Sequence, residues 1–200
     1  MSGSPDLSVL AGDVLDVAPR LLGAHLTHAG VTVRLTEVEA YAGQDDPGSH
    51  AFRGPTARNA VMFGPAGHLY AYLIYGMHVC ANVVTGTPGT ASAVLLRAGE
   101  VVEGLDVARG RRPGASDRDL ARGPARLCRA LAIGLEQGGA DLATGPVLLL
   151  LATDHGGPVE SGPRVGLRQA AEHPWRYWLA GEPTVSAYRP AAPLRRRPAG

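Results

Sequence analysis

Short segments of alternating apolar and polar residues dominate this chain, and they predict mainly β-strands. Residues 24–28 and 31–40 alternate on either side of Ala29-Gly30, a pattern typical of a β-hairpin. Residues 69–84 (LYAYLIYGMHVCANVV) are apolar and rich in strand formers, and Gly76 predicts a bend or bulge within them. Further strands are predicted at residues 91–97, at residues 147–152 as a buried strand, and near the end of residues 164–180.

Helical patterns are fewer. Residues 13–22 predict a short helix that Pro19 begins or interrupts. Residues 124–133 predict the best helix, because their first residue is a proline, which suits the first helical position. Residues 42–68 carry Gly, Pro, Asp and Ser, and they predict a long loop of the kind that usually has a function. These elements predict one α+β domain over residues 13–189, between flexible ends at residues 1–12 and 190–200.

The composition fits a globular domain, because 45% of the residues are apolar. The longest apolar runs are far too short to cross a membrane. The first residues carry acidic groups and lack the basic segment of an export signal. We therefore expect a cytoplasmic monomer in which Cys80 and Cys128 are buried free thiols.

The distribution of charge narrows the possible chemistry. All 19 basic residues are Arg, against 18 acidic residues, so the net charge is +1 and no lysine exists. Catalysis through a lysine Schiff base and a P-loop lysine are therefore excluded. Residues 1–50 hold two Arg and seven acidic residues, a net charge of −5, whereas residues 51–130 hold ten Arg and five acidic residues, a net charge of +5. The second segment predicts a basic face suited to phosphate groups, although a merely solvated loop is the alternative for residues 110–118.

Two carboxylates, Glu37 and Glu39, lie two residues apart in a predicted strand and therefore share one face. One interpretation is a solvated sheet face. The other is that Glu39, where the strand meets the long loop, acts as a general base beside Tyr41. Arg97 ends an apolar strand, so it either reaches solvent or pairs with an acid. A pair with Glu39 would favour the ionised carboxylate.

The tyrosines concentrate in one segment, since Tyr70, Tyr72 and Tyr75 are three of the six in the chain. They indicate either ordinary core packing or a platform for a nucleobase, with Tyr75 or Met77 as a wedge that enters a base stack. Asn82 lies in an apolar strand and needs polar partners if it is buried, either in the protein or on a ligand. The seven His show no metal-ligand spacing, and we expect no metal and no cofactor.

Several motifs together carry a resemblance that spans residues 13–188. They are EVEAY (37–41), GQDDPGSHAFRGPTARNAVMF (43–63), GPAGHLYAYLIYGMHVCANVV (64–84), AVLLRAGE (93–100), GPARLCRALAI (123–133) and RVGLRQAAEHPWRYWLAGEPTVS (164–186). In this order they resemble the alkyladenine or 3-methyladenine DNA glycosylase family. The resemblance implies a single mixed domain with a curved, mainly antiparallel sheet and a few peripheral helices. It also implies an enzyme that flips an alkylated purine out of duplex DNA and cuts its N-glycosidic bond.

The resemblance further implies three sets of site residues. The catalytic set directs a water to C1′ of the sugar and comprises Glu39 as general base, Arg97 and the backbone carbonyl of Val165. The base-binding set sandwiches the flipped purine or, through its last member, disfavours normal guanine, and comprises Tyr41, His50, Tyr72 and Asn82. The DNA-binding set fills the gap left in the duplex or contacts its backbone, and comprises Tyr75, Met77, His78, Arg53 and Arg58.

Two other functions stay open from the sequence. One is a catalytically inactive nucleic-acid-binding module of the same fold. The other is a hydrolase of free nucleosides, which would leave the Tyr75 and Met77 wedge and the basic segment unexplained. The expected partner of an active glycosylase is double-stranded DNA that contains damaged purines. Glycosylases that also nick the strand usually form a Schiff base with the sugar, so the absence of lysine predicts an enzyme that leaves an intact abasic strand.

Overall fold

A computed structural model describes residues 5–192, and the strands in that range form one curled antiparallel sheet. The strands are β1 (His25–His28), β2 (Val31–Tyr41), β3 (Leu69–Ile74), β4 (His78–Thr85), β5 (Ser92–Glu103), β6 (Leu148–Leu150), β7 (Val159–Gly162) and β8 (Arg176–Leu179). They run in the order β3-β4-β5-β2-β1-β6, and β8 pairs with both β2 and β7.

The helices of the described range are short and pack against the sheet. Helix α1 (Val14–Arg20) begins where the Asp13 carboxylate accepts a hydrogen bond from the Leu15 N–H, an N-cap. Helix α2 (Leu105–Arg111) follows β5, and α3 (Pro124–Leu131) packs against β4 and β5. The protein is thus a mixed α+β domain with a curled, antiparallel sheet, which confirms the expected fold class.

Two groups of buried apolar side chains stabilise this arrangement. The larger group joins one side of the sheet to the helices and includes Leu26, Leu96 and Leu127. The smaller group includes Met62 and Tyr72 and brings together the 42–68 segment and strands β3, β4 and β5. Burial of each large apolar side chain stabilises a fold by roughly 1.5–3 kcal/mol. Together, the two groups pack the helices and the 42–68 segment against the sheet.

Some elements differ from the sequence-based predictions. The pattern predicts neither α2 nor β7, and β5 continues past Arg97 to Glu103. The strand predicted as buried at residues 147–152 is the three-residue edge strand β6, in which Leu149 is buried while Leu148 and Leu150 are exposed. This prediction was wrong because β6 pairs only with β1, and an edge strand alternates between core and solvent.

Both cysteines are buried free thiols, as predicted. Of the ends predicted as flexible, residues 1–4 and 193–200 lie outside the described range. Within it, a 3-10 turn at Ser8–Ala11 buries Leu10 completely, so this part of the N-terminal segment contributes to the core. Among residues 5–192, none of the helices has the length and apolar character of a membrane span.

Candidate active site

Bulges in β2 and β5 determine to which face of the sheet Glu37 and Glu39 point. In the pairing of β2 with β5, Thr36 and Arg97 have no partner residue on the other strand. Buried apolar side chains alternate along β2 up to Leu35, and the alternation resumes one position out of phase at Val38. A one-residue slip turns the following side chains to the other face of a sheet. Glu39 and its neighbour Glu37 therefore point away from the larger apolar core. The slip is visible in the sequence as a shift of the apolar pattern, and it is the signal that could have located the bulge.

Glu39 is completely buried, and three groups hold its carboxylate. The Val165 N–H donates to Oε1 at 2.7 Å, and the Tyr41 hydroxyl donates to Oε2 at 2.9 Å. Arg97 Nη1 lies 3.4 Å from the same Oε2. The interpretation as a solvated sheet face is wrong. It is the amide of Val165 that contacts Glu39, while the expected role of the Val165 carbonyl stays a prediction.

Glu37 is equally buried but has more donors. Arg97 Nε and Arg176 Nε donate to its Oε1 at 2.8 and 2.7 Å, and the Ser186 hydroxyl donates to the same oxygen at 2.8 Å. The Ser186 N–H donates to Oε2 at 2.6 Å. Burial alone would raise the pKa of Glu37, but the two arginine charges and the Ser186 N–H outweigh it and lower that pKa. Glu37 therefore fixes the guanidinium of Arg97, which also contacts Glu39.

Beside Glu39 lies a pocket with a volume of about 170 Å³. Predicted residues from all three sets line it, namely Tyr41, His50, Tyr72, Tyr75, Asn82, Arg97 and Val165. Its lining also includes residues that the sequence analysis did not single out, among them Met62, Ile74, Leu95 and Leu167. Glu39 itself does not line the pocket, but its three contacts Tyr41, Arg97 and Val165 do, so the candidate general base lies directly behind the pocket wall.

Aromatic rings form much of the pocket wall. The rings of His50 and Tyr72 meet edge-on with centroids 4.4 Å apart, and Tyr70 stacks on Tyr72 at 5.5 Å. Burial, aided by the charge of Arg58, lowers the pKa of His50, so its imidazole is neutral at pH 7. Burial raises the pKa of both Tyr41 and Tyr72, which keeps their hydroxyls protonated. The aromatic part of the wall therefore consists of uncharged π-systems, which attract a cation placed over their faces.

The loop that carries His50 is held by buried polar groups. The side chain of Asn59 donates to the carbonyls of His50 and Gly54 and accepts from the Thr56 N–H. Residues 43–63 therefore form an ordered wall, and the function expected of this long loop stays a prediction.

A buried ion pair connects the same loop to the C-terminal part of the chain. Arg164 and Asp46 are both fully buried, and Arg164 contacts both oxygens of the Asp46 carboxylate. Arg164 also donates to the Ala40 carbonyl, and its guanidinium lies 4.7 Å from the centre of the Tyr41 ring. The sequence analysis missed this pair, because 118 positions separate the two residues and no local pattern connects them.

Asn82 is buried in the pocket wall with one identified partner. Its Nδ2 donates to the Tyr70 carbonyl at 3.1 Å, and it lines the pocket. This contact fixes the amide while its other polar positions can meet a bound base.

The β3–β4 hairpin presents its turn to solvent next to the pocket. Tyr75 and Gly76 have φ values of 53° and 69°, so the predicted bend at Gly76 is a tight hairpin turn. A tyrosine in the left-handed region is uncommon and often marks a functional position. Tyr75 is 87% and Met77 70% exposed, and His78 follows them on the surface. Two exposed apolar side chains on a tight turn add nothing to the core and are available to a partner.

The two predicted arginines of the loop are both exposed. Arg58 donates to the Leu73 carbonyl, and its guanidinium lies 5.7 Å from the centre of the Tyr72 ring. Neither lines the pocket, and their predicted contacts with DNA stay predictions. Within residues 5–192, no group of three or more His, Cys, Asp or Glu is arranged to hold a metal ion.

Together, the curled sheet, the buried carboxylate and the aromatic pocket define an α+β protein built to hold a planar ring beside a fixed carboxylate. The family described as methylpurine-DNA glycosylase (MPG) matches residues 8–183, and the chain belongs to this family. It is a DNA glycosylase, a hydrolase of N-glycosyl bonds that acts in DNA repair.

Relatives from several bacteria are similar over nearly the whole chain, and each is named "Putative 3-methyladenine DNA glycosylase". The protein of Frankia casuarinae is 57% identical and covers 88% of this chain and 89% of its own. That of Leifsonia xyli subsp. xyli is 56% identical over 92% of each chain. That of Streptomyces avermitilis is 50% identical over 98% of this chain and 100% of its own.

Proposed function

We propose that this protein is a monofunctional DNA glycosylase that acts as a single chain on alkylated purines such as 3-methyladenine. In this proposal it flips the damaged nucleotide out of duplex DNA and hydrolyses its N-glycosidic bond with a water activated by Glu39. The observation that carries the proposal is the fully buried Glu39 carboxylate, fixed by three groups at the edge of an aromatic pocket. The names of the relatives support the class of lesion.

Base flipping is proposed because the atoms of the glycosidic bond are unreachable inside a base stack. Extrusion costs a few kcal/mol, least for a damaged pair, and stacking on aromatic rings returns roughly 1–3 kcal/mol per base. Tyr41, His50 and Tyr72 would sandwich the base. Alkylation at N3 or N7 gives the purine a positive charge, which suits the uncharged π-systems of this wall. Asn82 would disfavour normal guanine by meeting its exocyclic amine.

The bond-breaking step uses the geometry around Glu39. The carboxylate accepts a proton from a water, and the water oxygen forms a bond to C1′ of the sugar. The C1′–N bond breaks, and its electron pair stays with the purine, whose positive charge is thereby neutralised. Arg97 and the Val165 amide hold the carboxylate in place, and the Val165 carbonyl would be a further contact of the water.

The exposed hairpin turn suits the opening of the duplex. Tyr75 would enter the gap that the flipped base leaves, with Met77 beside it, because apolar wedges stabilise unstacked base steps. His78 and Arg53 would contact the DNA backbone. Arg58, which is exposed and lies 5.7 Å from the centre of the Tyr72 ring, would contact the DNA backbone as well.

The product is proposed to be an intact abasic strand. A combined glycosylase and lyase needs an amine for a Schiff base with the sugar, and this chain has no side-chain amine, because it contains no lysine. Borohydride reduction of a reaction mixture tests this directly. We expect no covalent adduct between protein and DNA, and a trapped adduct contradicts hydrolysis by water.

The central experiment measures free 3-methyladenine released from methylated duplex DNA by the purified protein. We expect release from the duplex, with the sugar-phosphate strand left intact. Tight binding without release indicates an inactive module, and release from free nucleosides alone indicates a nucleoside hydrolase. Either result contradicts the proposal.

A further inference from the structure

The buried ion pair of Arg164 and Asp46 lies immediately outside the base-binding pocket, and neither residue lines it. Arg164 directly precedes Val165 in the chain, and Asp46 accepts a hydrogen bond from the Gly48 N–H at 2.9 Å. Both Val165 and Gly48 line the pocket. The pair therefore connects two segments of the pocket wall that are far apart in the sequence, and the proposed mechanism uses neither of its charges.

The guanidinium of Arg164 lies against two aromatic rings. Its central carbon is 4.7 Å from the centre of the Tyr41 ring and 5.0 Å from the centre of the Trp175 ring. Within residues 5–192, its buried Nε meets no hydrogen-bond partner, and a buried polar atom without a partner costs free energy. Tyr41 lines the pocket whereas Arg164 does not, so the positive charge lies behind this ring as seen from a bound base.

Burial distinguishes this charge from the other arginine beside the aromatic wall. Arg58 lies 5.7 Å from the centre of the Tyr72 ring and is exposed, so water and salt screen its charge. Arg164 has no exposed surface, and its effect on the Tyr41 ring is therefore screened much less. Asp46 offsets part of the charge, but the guanidinium is the member of the pair that lies against the ring.

A positive charge behind an aromatic ring changes what the ring binds on its other side. The face of the ring attracts a cation because it carries negative potential. A cation already in place behind the ring lowers that potential, so a second cation is attracted less. Tyr41 should therefore stack on a charged and on an uncharged base with similar strength.

We propose that Arg164 is a specificity-determining residue that acts through Tyr41. Its buried charge reduces the advantage that a positively charged base has in the pocket over an uncharged base of the same shape. The inference rests on the proposed function, in which Tyr41 stacks on a flipped purine. Arg164 touches neither the base nor the reacting atoms in this proposal, and it acts by setting the potential of the ring.

The tests compare two lesion duplexes that differ only in charge. One carries 3-methyladenine and the other carries its uncharged isostere 3-methyl-3-deazaadenine, each on a 2′-fluoro sugar that resists cleavage. Binding titrations give the affinity for the charged base divided by the affinity for the uncharged base, called here the charge preference. A merely structural role of the ion pair would lower both affinities by the same factor and leave the charge preference unchanged.

The first test removes both charges with the double variant Asp46→Asn/Arg164→Gln, which leaves no unpaired charge buried. We expect its charge preference to rise about threefold to tenfold over the wild type, the range of one cation–π contact. The control is Arg109→Gln/Asp117→Asn, because Arg109 also donates to both oxygens of an aspartate but is exposed and does not line the pocket. The control should keep the wild-type charge preference. An unchanged value in the first variant, or an equal rise in both, overturns the proposal.

The single variant Asp46→Asn tests the sign of the effect. It leaves the charge of Arg164 without its counter-charge, so we expect the charge preference to fall below that of the wild type. The double variant and Asp46→Asn should therefore shift the charge preference in opposite directions. A shift in the same direction contradicts an electrostatic role of Arg164.

A third comparison leaves the ion pair intact and so does not depend on the folding of its variants. Tyr41→Leu removes the ring, and Tyr41→Phe keeps the ring while losing the same hydroxyl. Relative to Tyr41→Phe, we expect Tyr41→Leu to lose affinity for both bases by the same factor. A larger loss for the charged base overturns the proposal. Failure of the wild type to release 3-methyladenine contradicts the proposed function instead, so the two failures are distinguishable.

Discussion

Glu37 and Glu39 are the same residue type on the same strand, both without exposed surface, yet their surroundings differ. Glu37 accepts four hydrogen bonds, two of them from the guanidinium groups of Arg97 and Arg176. Glu39 accepts two short bonds, from Val165 and Tyr41, and a longer one from Arg97 at 3.4 Å. All partners of Glu39 line the pocket, whereas Arg176 and Ser186 do not.

The difference teaches how one strand supplies a structural and a candidate catalytic carboxylate. Three protein donors meet Oε1 of Glu37, two of them arginines, so this carboxylate is held mainly by its ion pairs. Oε1 of Glu39 accepts only from the Val165 N–H, which leaves it an acceptor position for a water, as a proton-accepting group needs. Arg97 connects the two, since Glu37 holds its Nε and leaves Nη1 directed to Glu39.

The largest expected effect separates the two carboxylates by chemistry. Glu39→Gln should lower the excision rate by about 10²–10⁴-fold, the usual range for a general base, while binding to the lesion duplex persists. Single-turnover release of 3-methyladenine and a binding titration measure the two quantities. Glu100→Gln, an exposed glutamate of β5 paired with Arg34, is the control and should keep full activity. Full activity in Glu39→Gln would remove Glu39 from the mechanism.

The second prediction concerns the stability that Glu37 provides. Glu37→Gln leaves Arg97 and Arg176 buried beside a neutral partner, and the loss of one member of a buried ion pair typically costs about 3–5 kcal/mol. Urea unfolding measures the change, and Glu100→Gln should change the free energy of unfolding by less than about 1 kcal/mol. A loss of excision in Glu37→Gln with unchanged unfolding would reverse the roles assigned to the two residues.

The comparison extends to the tyrosines, since Tyr72 is buried in the wall and Tyr75 is exposed on the turn. Tyr75→Ala should lower affinity for the lesion duplex about tenfold, through loss of the stacking ring, and change affinity for undamaged DNA much less. Fluorescence of a reporter base beside the lesion measures flipping in parallel. Tyr75→Phe keeps the ring and should behave as the wild type. An equal loss on damaged and undamaged duplexes would mean that Tyr75 is not a wedge.

The smallest effect is a pH dependence of stability. The pKa of Glu37 is lower in the fold than its ordinary value of 4.5, so the folded state binds fewer protons than the unfolded chain as the pH falls. The stabilisation is therefore complete above pH 4.5 and is lost as the pH drops through the folded-state pKa. The difference in unfolding free energy between the wild type and Glu37→Gln should narrow in acid. A constant difference from neutral pH to well below 4.5 would contradict the lowered pKa.

Local patterns were sufficient for much of the fold. Alternation predicted the β1–β2 hairpin, and the proline at position 124 predicted the start of α3. They failed where pairing decides the outcome, since β6 is an edge strand rather than a buried one. They also failed for α2, a seven-residue helix with four charged or glycine positions and little apolar periodicity to detect.

The residues of the candidate site show the same difference between what the sequence predicted and what it did not. The family resemblance carried by the sequence motifs implied that Tyr41, His50, Tyr72, Asn82 and Arg97 belong to one site, and all five line the pocket. They did not supply the partners that fix these groups, such as Arg176 behind Glu37, because those partners come from distant parts of the chain.

By itself, the sequence determined the residue types, the strands that carry them and the absence of lysine, because these properties are local or compositional. Only the tertiary structure decided that Glu37 accepts from two arginines and Glu39 from one. It also decided that Arg109 is paired with Asp106 and Asp117 while Arg126 lines a surface depression beside α3. The physical reason is that both distinctions depend on groups brought together by sheet bulges and long-range packing. A periodicity of two or 3.6 residues carries no information about such contacts.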